Sequence, residues 1–383
     1  MAAEWSKHIK DNDRFRFPTG EVRIDGSKLE TKNAFISNVY VSMSTGCEAS
    51  TCEVTLVLPQ VDFKNKKMDL PGDFAKIKLG VEIEIDLGYN VDENPEVETV
   101  FVGYISDFSM EVNEEHYVYA TIYGMDAKMW MMSSRKFELK KEKKKYSDIV
   151  SDLYGKYSAK FKSKMVTISS ESEFETPIYQ RNESDYEFLC RIADITGALF
   201  YVHVGKLYFA SAQAYKAVKL NVTPDFGVYN IKVDWSVWNI PDTIKVVSID
   251  RSDFTQVIES EATSSDNIGD GKAATALTSN IDDSNNTITI IDNTVQSAGE
   301  ATFLAKAKYA ERELNLVKGK LSLAGHPKVD PGTGIKLKNF GNPFDNSYIV
   351  QGVRHFCDLK DKIYKTEVDI VTNRFNPQTA SLF

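Results

Sequence analysis

Gly80-Val-Glu-Ile-Glu-Ile-Asp-Leu-Gly88 is the most regular alternation in the chain, with Val81, Ile83, Ile85 and Leu87 on one side and Glu82, Glu84 and Asp86 on the other. Successive side chains of a strand point to opposite faces, so this period of two predicts a strand with one buried face and one wet, acidic face. Upstream, Phe35, Val39, Val41 and Met43 alternate with Ser and Asn, and Val54, Leu56 and Leu58 alternate again after a Ser/Thr/Gly turn. Downstream, a polar tip over 92–98 separates this strand from two more, expected at 99–110 and 116–123. A β-module is the reading for the first 132 residues.

The period then changes. Ile149, Val150 and Leu153 stand at helical spacing behind Ser147, and Asn182-Glu-Ser-Asp-Tyr-Glu-Phe-Leu189 opens a second capped helix. Its apolar stripe is Phe188, Leu189, Ile192 and Ala193, and Gly197 stands where the helix should stop. A hairpin turning at Val204-Gly205 completes an α/β unit expected over 133–212. Strands resume over 213–383, interrupted by a polar stretch and an Ala/Glu/Lys/Leu-rich helix at about 255–317. An internal echo links the two β-rich parts. Gly80, Ile83 and Ile85 match Gly332, Ile335 and Leu337, and Val102, Ile105 and Phe108 match Val350, Val353 and Phe356. The fold class is thus α+β, mainly β, with two β-modules of one type separated by a small α/β unit.

A length of 383 residues suits two or three domains, and 42% hydrophobic with 26% charged residues is a globular composition. A net charge of −9 argues against a chain that binds nucleic acid over its whole surface. Four cysteines, Cys47, Cys52, Cys190 and Cys357, are too few and scattered for a disulfide scaffold and suit a reducing compartment. The charged start offers no signal peptide, and no apolar run is long enough to span a membrane, so assembly in a cytoplasm is expected. The histidines are dispersed, Gly269-Asp-Gly271-Lys272 lacks the spacing of a phosphate loop, and Asp266, Asp270, Asp282 and Asp283 lack a closing Glu for calcium. Catalytic residues, cofactors and metals are therefore all expected to be none. The run Lys140, Lys141, Lys143, Lys144 and Lys145 reads first as an exposed linker, then as a protein-docking patch and last as a nucleic-acid face, since it lacks interleaved aromatics and has Glu138 and Glu142 nearby.

Several blocks, in order, resemble the phage late-control protein D family of contractile-tail hubs, which includes the hub part of VgrG spike proteins. They are Tyr123-Gly-Met-Asp126, the helix from Asn182 to Gly197 with its hairpin, Gly325-His-Pro to Pro331-Gly332, and Tyr348-Ile-Val to Val353 and His355. The resemblance implies a virion structural protein: a homotrimeric baseplate hub with two tube-like β-barrel domains per chain, adapting a hexameric tail tube to a trimeric spike. Its implied partners are the spike, the tail tube protein, other baseplate proteins, and DNA or cargo passing through the lumen without specific binding. On this reading Glu82, Glu84 and Asp86 are candidates to line the lumen, and Phe375, Leu382 and Phe383 are candidate partner contacts in the final segment. The rival reading is a tail-associated cell-wall hydrolase.

Overall fold

The computed structural model describes residues 17–29, 35–58, 76–91, 94–114, 117–140, 144–168, 171, 174, 178–237, 240–274, 276 and 286–376. The fold is mainly β, as the alternation predicts. The first part holds β1 (Pro18–Ile24), β2 (Ser27–Lys28), β3 (Phe35–Ser44), β4 (Thr51–Leu58), β5 (Glu82–Val91), β6 (Asn94–Val112) and β7 (Val118–Met125). The middle holds β8 (Arg135–Lys140), α1 (Tyr146–Tyr157), β9 (Ser163–Thr167), β10 (Ile178–Ser184), α2 (Asp185–Thr196), β11 (Ala198–His203) and β12 (Lys206–Ser211). There follow β13 (Val218–Val222), β14 (Val228–Trp235), β15 (Thr243–Ile249), β16 (Val257–Ala262), β17 (Thr287–Ile291) and α3 (Ala298–Glu313). The chain then runs through β18 (Val317–Ala324), β19 (Gly334–Leu337), β20 (Ser347–Asp358) and β21 (Ile363–Thr372).

The two β-modules, far apart in sequence, are neighbours in space. Strand order in the large sheet runs β14-β18-β21-β20-β3-β4-β7-β6-β5-β1-β2, with β19 and β13 reached from β20. The modules meet where β3 pairs antiparallel with β20, and one apolar core runs under both, from Val22 and Ile83 to Val353 and Ile370. They are halves of one continuous sheet, and the α/β unit that lies between them in sequence does not lie between them in the sheet.

The halves are also copies. β3-β4-β7-β6-β5 repeats as β14-β18-β21-β20-β19. Each copy carries bulges at the same two places: the ladder skips Ser37 in β3 and Tyr229 in β14, then Ser106 in β6 and Gln351 in β20. Gly80 N–H donates to the Ile105 carbonyl at 2.8 Å, and Gly332 N–H donates to the Val350 carbonyl at 2.8 Å. Both glycines sit at positive φ, +79° and +75°, a region side chains rarely enter, so the residue type is dictated by the turn into the strand. These bonds correct the sequence echo. Gly80 with Gly332 is the right match, but Ile105 corresponds to Val350 and not to Val353. The alignment of β6 with β20 slips by three because both strands are apolar on successive residues there and alternation alone sets no register.

Between β14 and β18 the second copy carries an excursion that begins after Trp235, earlier than the expected 255. It holds the sheet β16-β15-β17 covered by α3, with Ile244, Val246, Ala301, Leu304 and Tyr309 in its core. In the middle unit, Phe188, Leu189, Ile192 and Ala193 form the buried stripe of α2 as its periodicity predicts. The cap is Ser184 rather than Asn182: β10 runs to Ser184 against β8, and Ser184 and Glu187 then bond each other's backbone amides. Gly197 closes the helix at φ +63°, and a Cβ there would meet the Ala307 carbonyl of α3 at 3.0 Å.

Candidate functional site

The acidic strand does not present an open face. β1 lies antiparallel on β5 with Arg23 opposite Glu84, which brings the guanidinium between two carboxylates. Arg23 Nε donates to Glu84 at 2.9 Å, and its two terminal nitrogens donate to Asp86, one of them at 3.0 Å. Lys162 adds a second cation to Glu84 at 2.7 Å. Burial alone would raise the Glu84 carboxyl, but hydrogen bonds from Lys162 and Arg23 outweigh it and hold Glu84 below the usual carboxylate range. Asp86 is 3% exposed and Glu82 is half-buried. The expectation that Glu82, Glu84 and Asp86 together form a wet acidic wall is therefore corrected. Alternation places them on one face, but it is blind to the strand that comes to lie beside that face.

Of the three apolar residues in the final segment, Leu382 and Phe383 lie outside the described residues. Phe375 is taken up within the chain: its backbone pairs with Lys272, and its ring stands 5.9 Å from that of Trp235. The preceding residue anchors this return, with Arg374 Nη1 donating to the buried Glu313 at 2.6 Å. Two residues of the lysine run are bound locally, Lys144 to Asp152 at 2.8 Å and Lys145 to Asp148 through its backbone amide, while 141–143 lie outside the described residues.

The most catalytic-looking set is only partly interior: His355 is in the core, while the side chains of His203 and Asp330 are 11% and 38% exposed. His355 Nδ1 lies 3.2 Å from Thr366 Oγ1 and 3.1 Å from the Tyr364 hydroxyl, and His203 Nε2 lies 3.1 Å from Asp330. His355 is 0% exposed, and burial lowers its pKa to about 4, so it stands neutral in the core, shielded from any substrate in solvent. His355 and Cys357 share one face of β20, and both are buried. Among the described residues there is no group of three or more His, Cys, Asp or Glu placed to hold a metal ion. Among them, too, no helix is long and apolar enough to cross a membrane.

Among the described residues, two strand edges have no strand beside them. β5 pairs with β6 only as far as Tyr104, and beyond it no described strand lies on that side of β6. β14 pairs with β18 on one side and with no described strand on the other. The β6 edge carries Met110 and Val112, 38% and 47% exposed, and the β14 edge carries Trp235 at 38%. Sequence reasoning marked these segments as strands but missed that they are edges, which depends on which strands lie beside them.

No curated protein matches the chain. The family model described as the Alg8 N-terminal domain matches residues 16–358. This is a different family model from the late-control protein D suggested by the motifs. Among solved structures, the chain is similar to the tail protein from Neisseria meningitidis MC58, at 12% identity and a TM-score of 0.66, covering 93% of this chain and 96% of that one. It is also similar to the 43 kDa tail protein of prophage MuSo2 from Shewanella oneidensis, at 15% identity and a TM-score of 0.62, covering 94% and 100%. A third is the E. coli c3393 protein, described as a component of the type VI secretion system with structural similarity to the T4 bacteriophage tail proteins gp27 and gp5. It has 11% identity and a TM-score of 0.58, covering 94% of this chain and 79% of that one. At such identities the likeness is one of fold.

Proposed function

The chain belongs to the Alg8 N-terminal domain family and has the fold of phage tail proteins, and on that premise we propose that it is a structural baseplate hub of a contractile tail or related injection machine. In this reading three copies form a ring that joins a sixfold tail tube to a threefold spike, in a virion or particle baseplate assembled in the bacterial host cytoplasm, and the chain is not an enzyme. The observation that carries it is the doubled module. Two copies of one five-strand order in a single sheet let three chains present six like surfaces to the tube while keeping a threefold face for the spike. DNA or another cargo passes through the bore without specific binding. Because Arg23 and Lys162 already meet Glu84 and Asp86, that passage cannot rest on an open acidic wall built from these residues.

Light scattering of the full chain at micromolar concentration tests the ring, with a mass near three chains expected. The spike protein of the same particle should co-purify with it. A hub that stays monomeric inside the assembled particle would overturn the reading, and so would one that digests cell wall in a clearing assay.

A further inference from the structure

Inside the chain, one joint between modules is already made: β20 pairs with β3 from Gly352 opposite Ser44 to Asp358 opposite Asn38. The module correspondence, fixed by the bulges and the glycine hydrogen bonds, makes β14 the counterpart of β3 and β6 the counterpart of β20. The counterparts of the joined edges are the two open ones. Within the chain these two edges are not paired with each other.

The geometry points to β6 of one copy pairing antiparallel with β14 of a second copy, in the register of the β3–β20 joint. This deepens the ring reading and rests on it. Transferred to the open edges, the internal register sets Met110 opposite Val233, Glu111 opposite Lys232 and Val112 opposite Ile231. On β6, Met110 and Val112 share the face of their β7 partners Ala120 and Val118, which are 0% and 1% exposed, so they extend the core side of the sheet. On β14, Val233 is 6% exposed and Ile231 packs against the same core. Apolar therefore meets apolar on the core side, and Glu111 meets Lys232 on the other, an opposite-charge cross-strand pair. A slip of one residue would turn Glu111 toward the core and Met110 toward solvent, so the register is specified by the side chains themselves. The pairing also removes an exposed apolar edge, which otherwise invites aggregation.

The test uses the full chain carrying Ser109→Cys with Asp234→Cys, positions opposed in this register, under mild oxidation. Controls are the unsubstituted chain, each single variant, and Ser109→Cys with Asn230→Cys, whose second cysteine lies about 13 Å further along the strand. Reducible multimers from the in-register pair alone are expected. In the uncrosslinked chain, Glu111→Lys should weaken self-association about two- to tenfold, and adding Lys232→Glu should restore it. A three-chain mass with no in-register crosslink would overturn this pairing and leave the ring reading standing. A chain that stays monomeric and uncrosslinked would overturn both, and in-register crosslinks in a two-chain particle would support the pairing and sink the ring of three.

Discussion

β5 and β19 hold the same place in the two modules, entered through the same glycine turn, yet their outward side chains are inverted in charge. Where β5 shows Glu84 and Asp86, β19 and the residue after it show Lys336 and Lys338. Each set is answered by what lies beside it. β1, antiparallel on β5, brings Arg23 to the two acids, while β13 lies parallel on β19, and Lys336 reaches Asp270 of the excursion at 2.9 Å. The backbone scheme of glycine turn, bulges and apolar alternation is held constant, and charge is assigned locally to suit the neighbour. The interior shows the same division. Gly124 of β7 stands opposite Cys52 of β4, and at the corresponding place the small residue is on the other strand, Gly319 of β18 opposite Ile370 of β21. The larger side chain thus sits on β4 in one module and on the counterpart of β7 in the other.

The sharpest way to break this comparison is to damage one module and watch the other. Ile370 is 1% exposed, and Ile370→Ala should cost about 2–5 kcal/mol. Because one core runs under both modules, calorimetry should show one transition shifted down. Two separate transitions would mean that the modules are independent despite the shared sheet. A smaller effect sharpens the exchange of bulk. A Cβ on Gly124 would lie 2.6 Å from Cys52 Sγ, so Gly124→Ala should cost about 1–3 kcal/mol, part of it recovered by Cys52→Ala in a double-mutant cycle. Gly319→Ala, facing Ile370 at 2.8 Å, should behave alike. Additive effects at the first pair would show that the small residue serves something other than space.

How much of this was legible follows from what each signal encodes. Alternation reports which face of a strand is buried, and it identified most strands of the two modules but not β1 or β8, while helical spacing gave the stripe of α2 and the echo matched Gly80 with Gly332. Alternation says nothing about which strand lies alongside, so it missed both the burial of Asp86 under Arg23 and the open edges of β6 and β14. The excursion was placed too late because β15 alternates as the main sheet does: Ile244 and Val246 face their own small core. Phe375 read as a contact for a partner because its cover, Lys272 and Trp235, comes from distant parts of the same chain.

The smallest effects test the claim that charge is local dressing. Arg23 is the larger case, since its removal leaves Asp86 buried without its guanidinium. Arg23 itself is partly exposed, 29% at the side chain, so Arg23→Gln should cost only about 1–2 kcal/mol at neutral pH. Its dependence on pH has a definite sign. Glu84 is held below its ordinary range, so its contribution is complete above the unfolded carboxylate value of about 4.3 and is lost as pH falls through the lower folded value. The gap between Arg23→Gln and the parent should therefore close in denaturant titrations carried below about pH 4. On the second module, Arg354 meets Asp369 at 2.8 Å, but with side chains 35% and 23% exposed this is a surface pair. Asp369→Asn should cost less than about 1 kcal/mol, and the difference should shrink further in about 1 M salt, where exposed charges are screened within a few ångströms. If Asp369→Asn instead proved as damaging as Ile370→Ala, charge would be part of what specifies the module, and the division drawn between backbone scheme and local charge would fail.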